Sequence, residues 1–183
     1  MELKDETQLI RRILGGEPQA FSVLVRRYQR PLFSLVGQIV GCREDVEEIT
    51  QDIFMKAFTK LDTFQGGSSL STWLHRIAYN TAISATRRKK LPRMDFDDLL
   101  LNNIPDTQVD EMLNRQEDEA LMLQVEMAIE QLPPEDRALL SLYYTQQKPV
   151  GEVAAITGFT DANVKIKLYR IRKKIAFLIN RLS

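Results

Sequence analysis

Val150-Gly-Glu-Val-Ala-Ala-Ile-Thr-Gly-Phe-Thr-Asp-Ala-Asn-Val-Lys-Ile-Lys-Leu-Tyr-Arg-Ile-Arg-Lys-Lys174 predicts a short helix, a glycine turn and a long basic helix. Ala154 lies four residues before Gly158, which gives a small side chain where the second helix crosses and a glycine able to take the positive φ that ends the first. Thr160 offers an N-cap oxygen to the second helix. Val164, Leu168, Ile171, Ile175 and Leu178 recur at alternating steps of four and three, so they form one inward apolar stripe. Lys165, Tyr169 and Arg172 make one outward row, and Ile166, Arg170 and Lys173 another. Such a surface suits a DNA major groove, where Arg and Lys bond guanine edges and neutralise phosphates. A solvated amphipathic helix closing a small bundle has the same spacing.

Working back along the chain, the helical period dominates and no alternating strand pattern interrupts it. Residues 5–14 predict a short helix stopped by Gly15-Gly16, and Pro18 suits the first turn of a second that carries Phe21, Leu24, Val25, Tyr28 and Leu32. Pro31 is expected to kink or break that helix. A third helix from Glu44 to Leu61 turns Val46, Ile49, Ile53 and Ala57 inward. Its opposite face carries Glu48, Gln51, Asp52 and Lys56 at steps of three to five, a polar contact row or simply a solvated face. A fourth begins near Ser71 and places Trp73, Leu74, Ile77, Ala78, Thr81 and Ala85 inward. Beyond the linker, Leu121, Val125, Ala128 and Leu132 resume the pattern, and Glu135 and Asp136 follow Pro133-Pro134 in a new first turn.

The fold class is therefore all-α, two helical domains joined by an acidic linker. The boundaries fall at 1–90, 91–115 and 116–183. Around the linker, periodicity fails, Pro92 and Pro105 intrude, and acids surround the short apolar patch from Leu99 to Leu101. The balance of 25 acidic against 25 basic residues hides this unevenness. Arg87, Arg88, Lys89, Lys90 and Arg93 make one basic patch and the last helix another, while Asp95, Asp97, Asp98 and Asp106 begin the acidic middle.

In 183 residues, 44% of them hydrophobic, there is material for folded cores, but no apolar run approaches the ~20 residues of a membrane span. The N-terminus is charged and lacks a signal-peptide core, so a cytoplasmic protein is expected. One cysteine, Cys42, and one histidine, His75, leave no metal-ligand cluster. Cys42 reads as a packing or loop thiol and His75 as a helix-surface imidazole. No nucleophile with its base and no phosphate loop is visible, so neither a catalytic site nor a cofactor is expected.

Taken together, Asp45-Val-Glu-Glu-Ile-Thr-Gln-Asp-Ile-Phe-Met-Lys-Ala-Phe58, Phe64-Gln-Gly-Gly-Ser-Ser-Leu-Ser-Thr-Trp-Leu-His-Arg-Ile-Ala-Tyr-Asn80 and the C-terminal helix-turn-helix resemble bacterial RNA polymerase sigma factors of the extracytoplasmic-function (ECF, group 4) type. That resemblance spans about residues 5 to 180. It implies a region 2 bundle that binds core polymerase and the promoter −10 element, and a region 4 domain that binds the −35 element. It also implies promoter-specific transcription initiation, with the β′ clamp helices and β flap as polymerase contacts and an anti-sigma factor as a controlling partner.

Residue by residue, the resemblance gives Glu48, Gln51 and Asp52 to the clamp helices, and Lys56 extends their row. The loop from Phe64 through Gln65, Ser68 and Ser69 to Thr72 matches the segment that melts and reads the −10 element, a composition suited to holding an unstacked base. Asn80 matches a non-template-strand contact, and Arg76, Arg87 and Arg88 are expected at its phosphates. Trp73 is either a −10 contact or a core anchor. The −35 readers are expected at Asn163, Lys165, Ile166, Tyr169 and Arg170, with Lys167 and Arg172 at phosphates. Ile166 stands where a small hydroxyl residue is common and Ala162-Asn163 replace a frequent Gly-Thr pair, so contact with a thymine methyl can replace a hydrogen bond. Asp161 either opposes a phosphate or accepts from a cytosine amino group. The acidic linker resembles the segment that threads toward the RNA channel.

Two rival readings remain in view. A stand-alone helix-turn-helix regulator leaves Glu48, Gln51 and Asp52 without a task, and a helical adaptor for acidic proteins would use the basic faces without DNA.

Overall fold

The computed structural model describes residues 2–89 and 119–182, with residues 96, 101, 103–105 and 107 between them. Among the described residues the chain is helical with no strand. The elements are α1 (Glu2–Leu14), α2 (Pro18–Val40), α3 (Arg43–Lys60), α4 (Leu70–Lys89), α5 (Glu119–Glu130), α6 (Pro134–Leu140), α7 (Val150–Thr157) and α8 (Asp161–Leu182). A 3-10 turn, Leu61–Thr63, follows α3 and a π-helical turn, Ser141–Thr145, follows α6. The acids expected in the linker, Asp95, Asp97, Asp98 and Asp106, lie outside the described residues.

Local chemistry sets most boundaries. Pro18 opens α2, and Gly41 ends it at φ 82°, its N–H donating to the Gly37 carbonyl. The helix runs through Pro31 rather than stopping there, so the expected break does not occur. Buried Tyr28, Leu32, Leu35 and Val36 flank the proline on both sides, and this continuous inner face holds the helix together. At the start of α4, the Thr72 N–H donates to Ser69 Oγ at 3.1 Å, so Ser69 acts as the helix cap. Glu6 ties α1 to this point, accepting from the Tyr28 hydroxyl at 2.8 Å and the Leu70 N–H at 3.4 Å.

The helix-turn-helix forms as its small residues require. Gly158 sits at φ 80° and its N–H donates to the Ala154 carbonyl at 2.8 Å. The Asn163 N–H donates to Thr160 Oγ1 at 3.2 Å. Val164, Leu168, Ile171, Ile175 and Leu178 are all buried. Lys174 donates to Asp136 Oδ2 at 2.6 Å and so locks α8 onto α6 with a largely buried ion pair.

The two halves do not stand apart. α4 touches α2 and α3 on one side and α6 and α7 on the other, and α2 also meets α6. One hydrophobic core runs from Leu9 to Ile179 through both halves. Polar bonds stitch its rim: Arg137 donates to the Ile39 carbonyl at 3.1 Å and Gln146 to the Pro31 carbonyl at 3.1 Å. Burial in this seam lowers the Arg137 pKa from its ordinary value. A smaller cluster joins Leu101 and Ile104 of the linker to Ala176 of α8, with Phe96 edge-on to Phe177. Those described linker residues are docked on α8 rather than free of the domains.

Candidate nucleic-acid interface

Helix α3 separates two grooves. The first, of about 570 Å³, lies between α2 and α3 and is lined by Arg30, Phe33, Arg43, Glu47, Thr50 and Gln51 among others. Glu48, Gln51 and Asp52 are exposed on α3, as an outward polar row requires, and of the three Gln51 lines this groove. Lys56 departs from the row. Its ammonium donates to Thr81 Oγ1 of α4 at 3.3 Å and lines the second groove instead.

That second groove, of about 410 Å³, brings together Lys56, Lys60, Trp73, Arg76, Asn80 and Arg88. Four of these side chains are cationic, and an amide and an indole lie among them, a combination that attracts a phosphate chain and offers a base something to stack on. Lys60 and Ser84 line it too and escaped the sequence reading. Their signal was present: Lys60 is one turn beyond Lys56, and Ser84 one turn beyond Asn80. Trp73 is half-buried, with its ring centroid 5.4 Å from that of Phe64, so one residue serves both core and groove wall. Gln65 and Ser68 are exposed in the loop, while Arg87 is exposed on α4 beyond the groove.

Thr72 is different. It is 4% exposed, and its hydroxyl donates to Glu152 Oε2 of α7 at 3.2 Å. The Lys148 ammonium donates to Ser71 Oγ and to Glu152 Oε2, each at 3.3 Å. His75 lies one turn further along α4 and is 2% exposed, not the surface imidazole that its isolation suggested. Its Nδ1–H donates to the Ser71 carbonyl at 2.6 Å, and Nε2 is 2.7 Å from the Gln146 side-chain amide. Burial, reinforced by Lys148, lowers the imidazole pKa despite the opposing pull of Ser71, Gln146 and Glu152. The face of α4 that follows the loop from Phe64 to Ser69 is thus covered by the first helix of the helix-turn-helix and the turn before it.

The outward face of α8 is open. Asn163, Lys165, Ile166, Tyr169 and Arg170 are exposed together, Ile166 by 53%. An isoleucine left in water on a basic helix has an apolar surface ready for a methyl group. Lys167 is half-buried with its ammonium 4.7 Å from the Phe159 ring centroid. Arg172 is half-buried and its Nε has no hydrogen-bond partner among the described residues. Lys173, expected outside with Ile166 and Arg170, is only 7% exposed and sits 5.0 Å over the Tyr169 ring. The exposed row therefore ends at Arg170, where the helix passes from a solvent-facing surface into a packed one that includes Lys174 and Ala176. Cys42 is an exposed thiol before α3, donating to Glu44 Oε2 at 3.0 Å. Among the described residues no cluster of His, Cys, Asp and Glu suits a metal ion, and no helix is long and apolar enough to cross a membrane.

Known proteins repeat this organisation. Residues 24–91 match the family model of Sigma-70 region 2, and residues 122–175 that of Sigma-70 region 4. The ECF RNA polymerase sigma-E factor of Escherichia coli (strain K12) is 32% identical over 182 residues, covering 95% of this chain and 93% of that protein. The RNA polymerase sigma-H factor of Pseudomonas aeruginosa is 28% identical over 183 residues, covering 94% and 92%. The fold is shared with CnrH, solved in complex with the cytosolic domain of CnrY, at TM-score 0.66, 22% identity and coverage of 96% and 97%. It is also shared with RpoE of Bartonella quintana, solved with the anti-sigma factor NepR, at TM-score 0.59, 19% identity and coverage of 87% and 96%. With both region models in chain order and a relative of that identity along nearly its whole length, the chain belongs to the ECF-type RNA polymerase sigma factors.

Proposed function

We propose that this chain binds core RNA polymerase in the cytoplasm through Glu48, Gln51 and Asp52 and directs it to promoters, as a group 4 factor carrying regions 2 and 4. The domains are residues 1–90 and 116–183, tethered by residues 91–115. The groove of Lys56, Lys60, Trp73, Arg76 and Asn80 holds the melted −10 strand, and Phe64 to Thr72 receives its unstacked base. Lys165, Ile166, Tyr169 and Arg170 read the −35 duplex. The polymerase performs the chemistry; the factor supplies position. Two modest DNA contacts on one tether act together through effective concentration, so promoter affinity does not require either to be tight.

The observation that carries this reading is spatial. A cationic groove on one half and an open basic helix face on the other are joined by a single chain with a polar row beside them. A stand-alone regulator would need only the second. Control by an anti-sigma protein is proposed on the fold shared with RpoE of Bartonella quintana, which was solved with one. Mixing the chain with core polymerase and promoter-bearing templates tests the proposal: specific transcripts are expected, and Glu48→Ala/Gln51→Ala/Asp52→Ala should lower both co-purification of polymerase and transcript yield. Promoter-specific DNA binding with no polymerase retained would favour the regulator.

A further inference from the structure

The covered state of Thr72 has a chemical form of its own. The hydroxyl proposed to meet a base edge is occupied by the Glu152 carboxylate, an anion and acceptor from the other half of the chain. That carboxylate is itself held: Lys148, with its side chain only 11% exposed, bridges Glu152 to Ser71. Gln146 adds the contact with His75 and anchors to the Pro31 carbonyl of α2. Three residues of one short stretch, Gln146, Lys148 and Glu152, thus bond Pro31, Ser71, Thr72 and His75 of the other half. Meanwhile Glu48, Gln51 and Asp52, and the readers on α8, are exposed.

We infer that Glu152 is an internal competitor of promoter DNA for Thr72, and that Gln146, Lys148 and Glu152 form a latch that masks the −10 reader while leaving the polymerase-binding row free. The inference rests on the −10 assignment of the preceding section. It fixes an order of events. The free chain docks on polymerase with its latch closed, and the halves must then separate before Thr72 can meet a base. Glu152 opposes premature binding by occupying the hydroxyl, with its carboxylate held in place by Lys148. The apparent affinity of the free chain for a −10 strand falls by the fraction of molecules that are open, so a variant that releases the latch recovers that factor without any new DNA contact.

The test uses the full chain without polymerase. A dye on Cys42 and another on an introduced Asn180→Cys report the separation of the halves, and fluorescence anisotropy reports binding of a single-stranded oligonucleotide carrying the non-template −10 sequence of a promoter transcribed by the holoenzyme. Gln146→Ala/Glu152→Ala is expected to lengthen the dye separation and tighten strand binding roughly tenfold. Glu152→Gln keeps the side-chain size and part of the bonding, and is expected to give a smaller gain. Adding Asn80→Ala to the open variant should remove the gain, because the strand then lacks its groove contact. An open variant with unchanged strand affinity overturns the competition, as does a wild-type chain that binds the strand as tightly as the variant. A gain that survives Asn80→Ala breaks the −10 assignment on which the inference stands, while lengthened separation would leave the latch itself intact.

Discussion

Helices α4 and α8 are both long, both basic near the residues assigned to DNA, and both central to the site, but they are buried differently. In its first half α8 presents one apolar stripe to the core and leaves Lys165, Ile166, Tyr169 and Arg170 exposed. α4 is covered on two sides, by α2 and α3 and by α6 and α7, and the residues proposed to meet DNA lie in a groove or under a neighbour. A helix that serves one core can be read from a single stripe. One that serves two must give polar positions to the second contact, and those positions look like free surface in the sequence.

The largest difference between the two helices should lie in stability. Leu74→Ala, at a fully buried position of α4, should cost about 2–5 kcal/mol of unfolding free energy, whereas Ile166→Ala on α8 should stay within about 0.5 kcal/mol. Denaturant titration of both variants checks this, and equal losses would erase the contrast in burial. DNA binding should separate the helices next. Arg170→Ala is expected to cost about 1–3 kcal/mol of promoter binding and relax −35 selectivity, while Lys167→Ala weakens all sequences evenly and reduces the salt slope by about one. Binding measured over a salt series distinguishes the two, and the same sequence-independent loss in both would break the division into reader and phosphate contact.

Asn80→Ala tests the other helix. It should impair formation of the open complex more than binding to a closed duplex, because its groove meets DNA only after the strands part. Permanganate footprinting beside duplex binding would show this, and equal losses would remove Asn80 from the strand.

The smallest effect should come from pH. His75 has its pKa lowered by burial, so the packed chain favours the neutral imidazole over the exposed one, whose ordinary value is 6.5. Stability from this group is fully present above that value and is lost as pH falls. Thermal unfolding of the wild type beside His75→Gln should show a slope in acid that the variant lacks. A slope of the opposite sign would mean that the Ser71 and Gln146 oxygens outweigh burial.

These contrasts also explain what could be read in advance. The stripe from Val164 to Leu178, the turn at Gly158 and the cap at Thr160 each have a local cause, so the helix-turn-helix was legible residue by residue. Asn80, Arg76 and Trp73 line one groove because they share one face of a helix, and Lys60 and Ser84 lie around them. His75 was misjudged because a polar residue beside a half-buried tryptophan on an amphipathic helix is ordinarily wet. Its burial depends on Gln146, seventy-one positions away, which no local pattern connects to it. Lys173 was misjudged because spacing predicts direction but not where the exposed part of a long helix stops. Pro31 did not end α2, since the buried contacts on either side outweigh one missing hydrogen bond.

On the proposed function, one chain reads two promoter elements from two differently exposed helices. Selection of active promoters from a randomised library, transcribed by core polymerase with the wild type, Arg170→Ala or Asn80→Ala, tests it most directly. Two separated sequence elements are expected for the wild type, loss of preference in the upstream element for Arg170→Ala, and weakened selection of the downstream element for Asn80→Ala. A single enriched element, or the same change of preference in both variants, would contradict it.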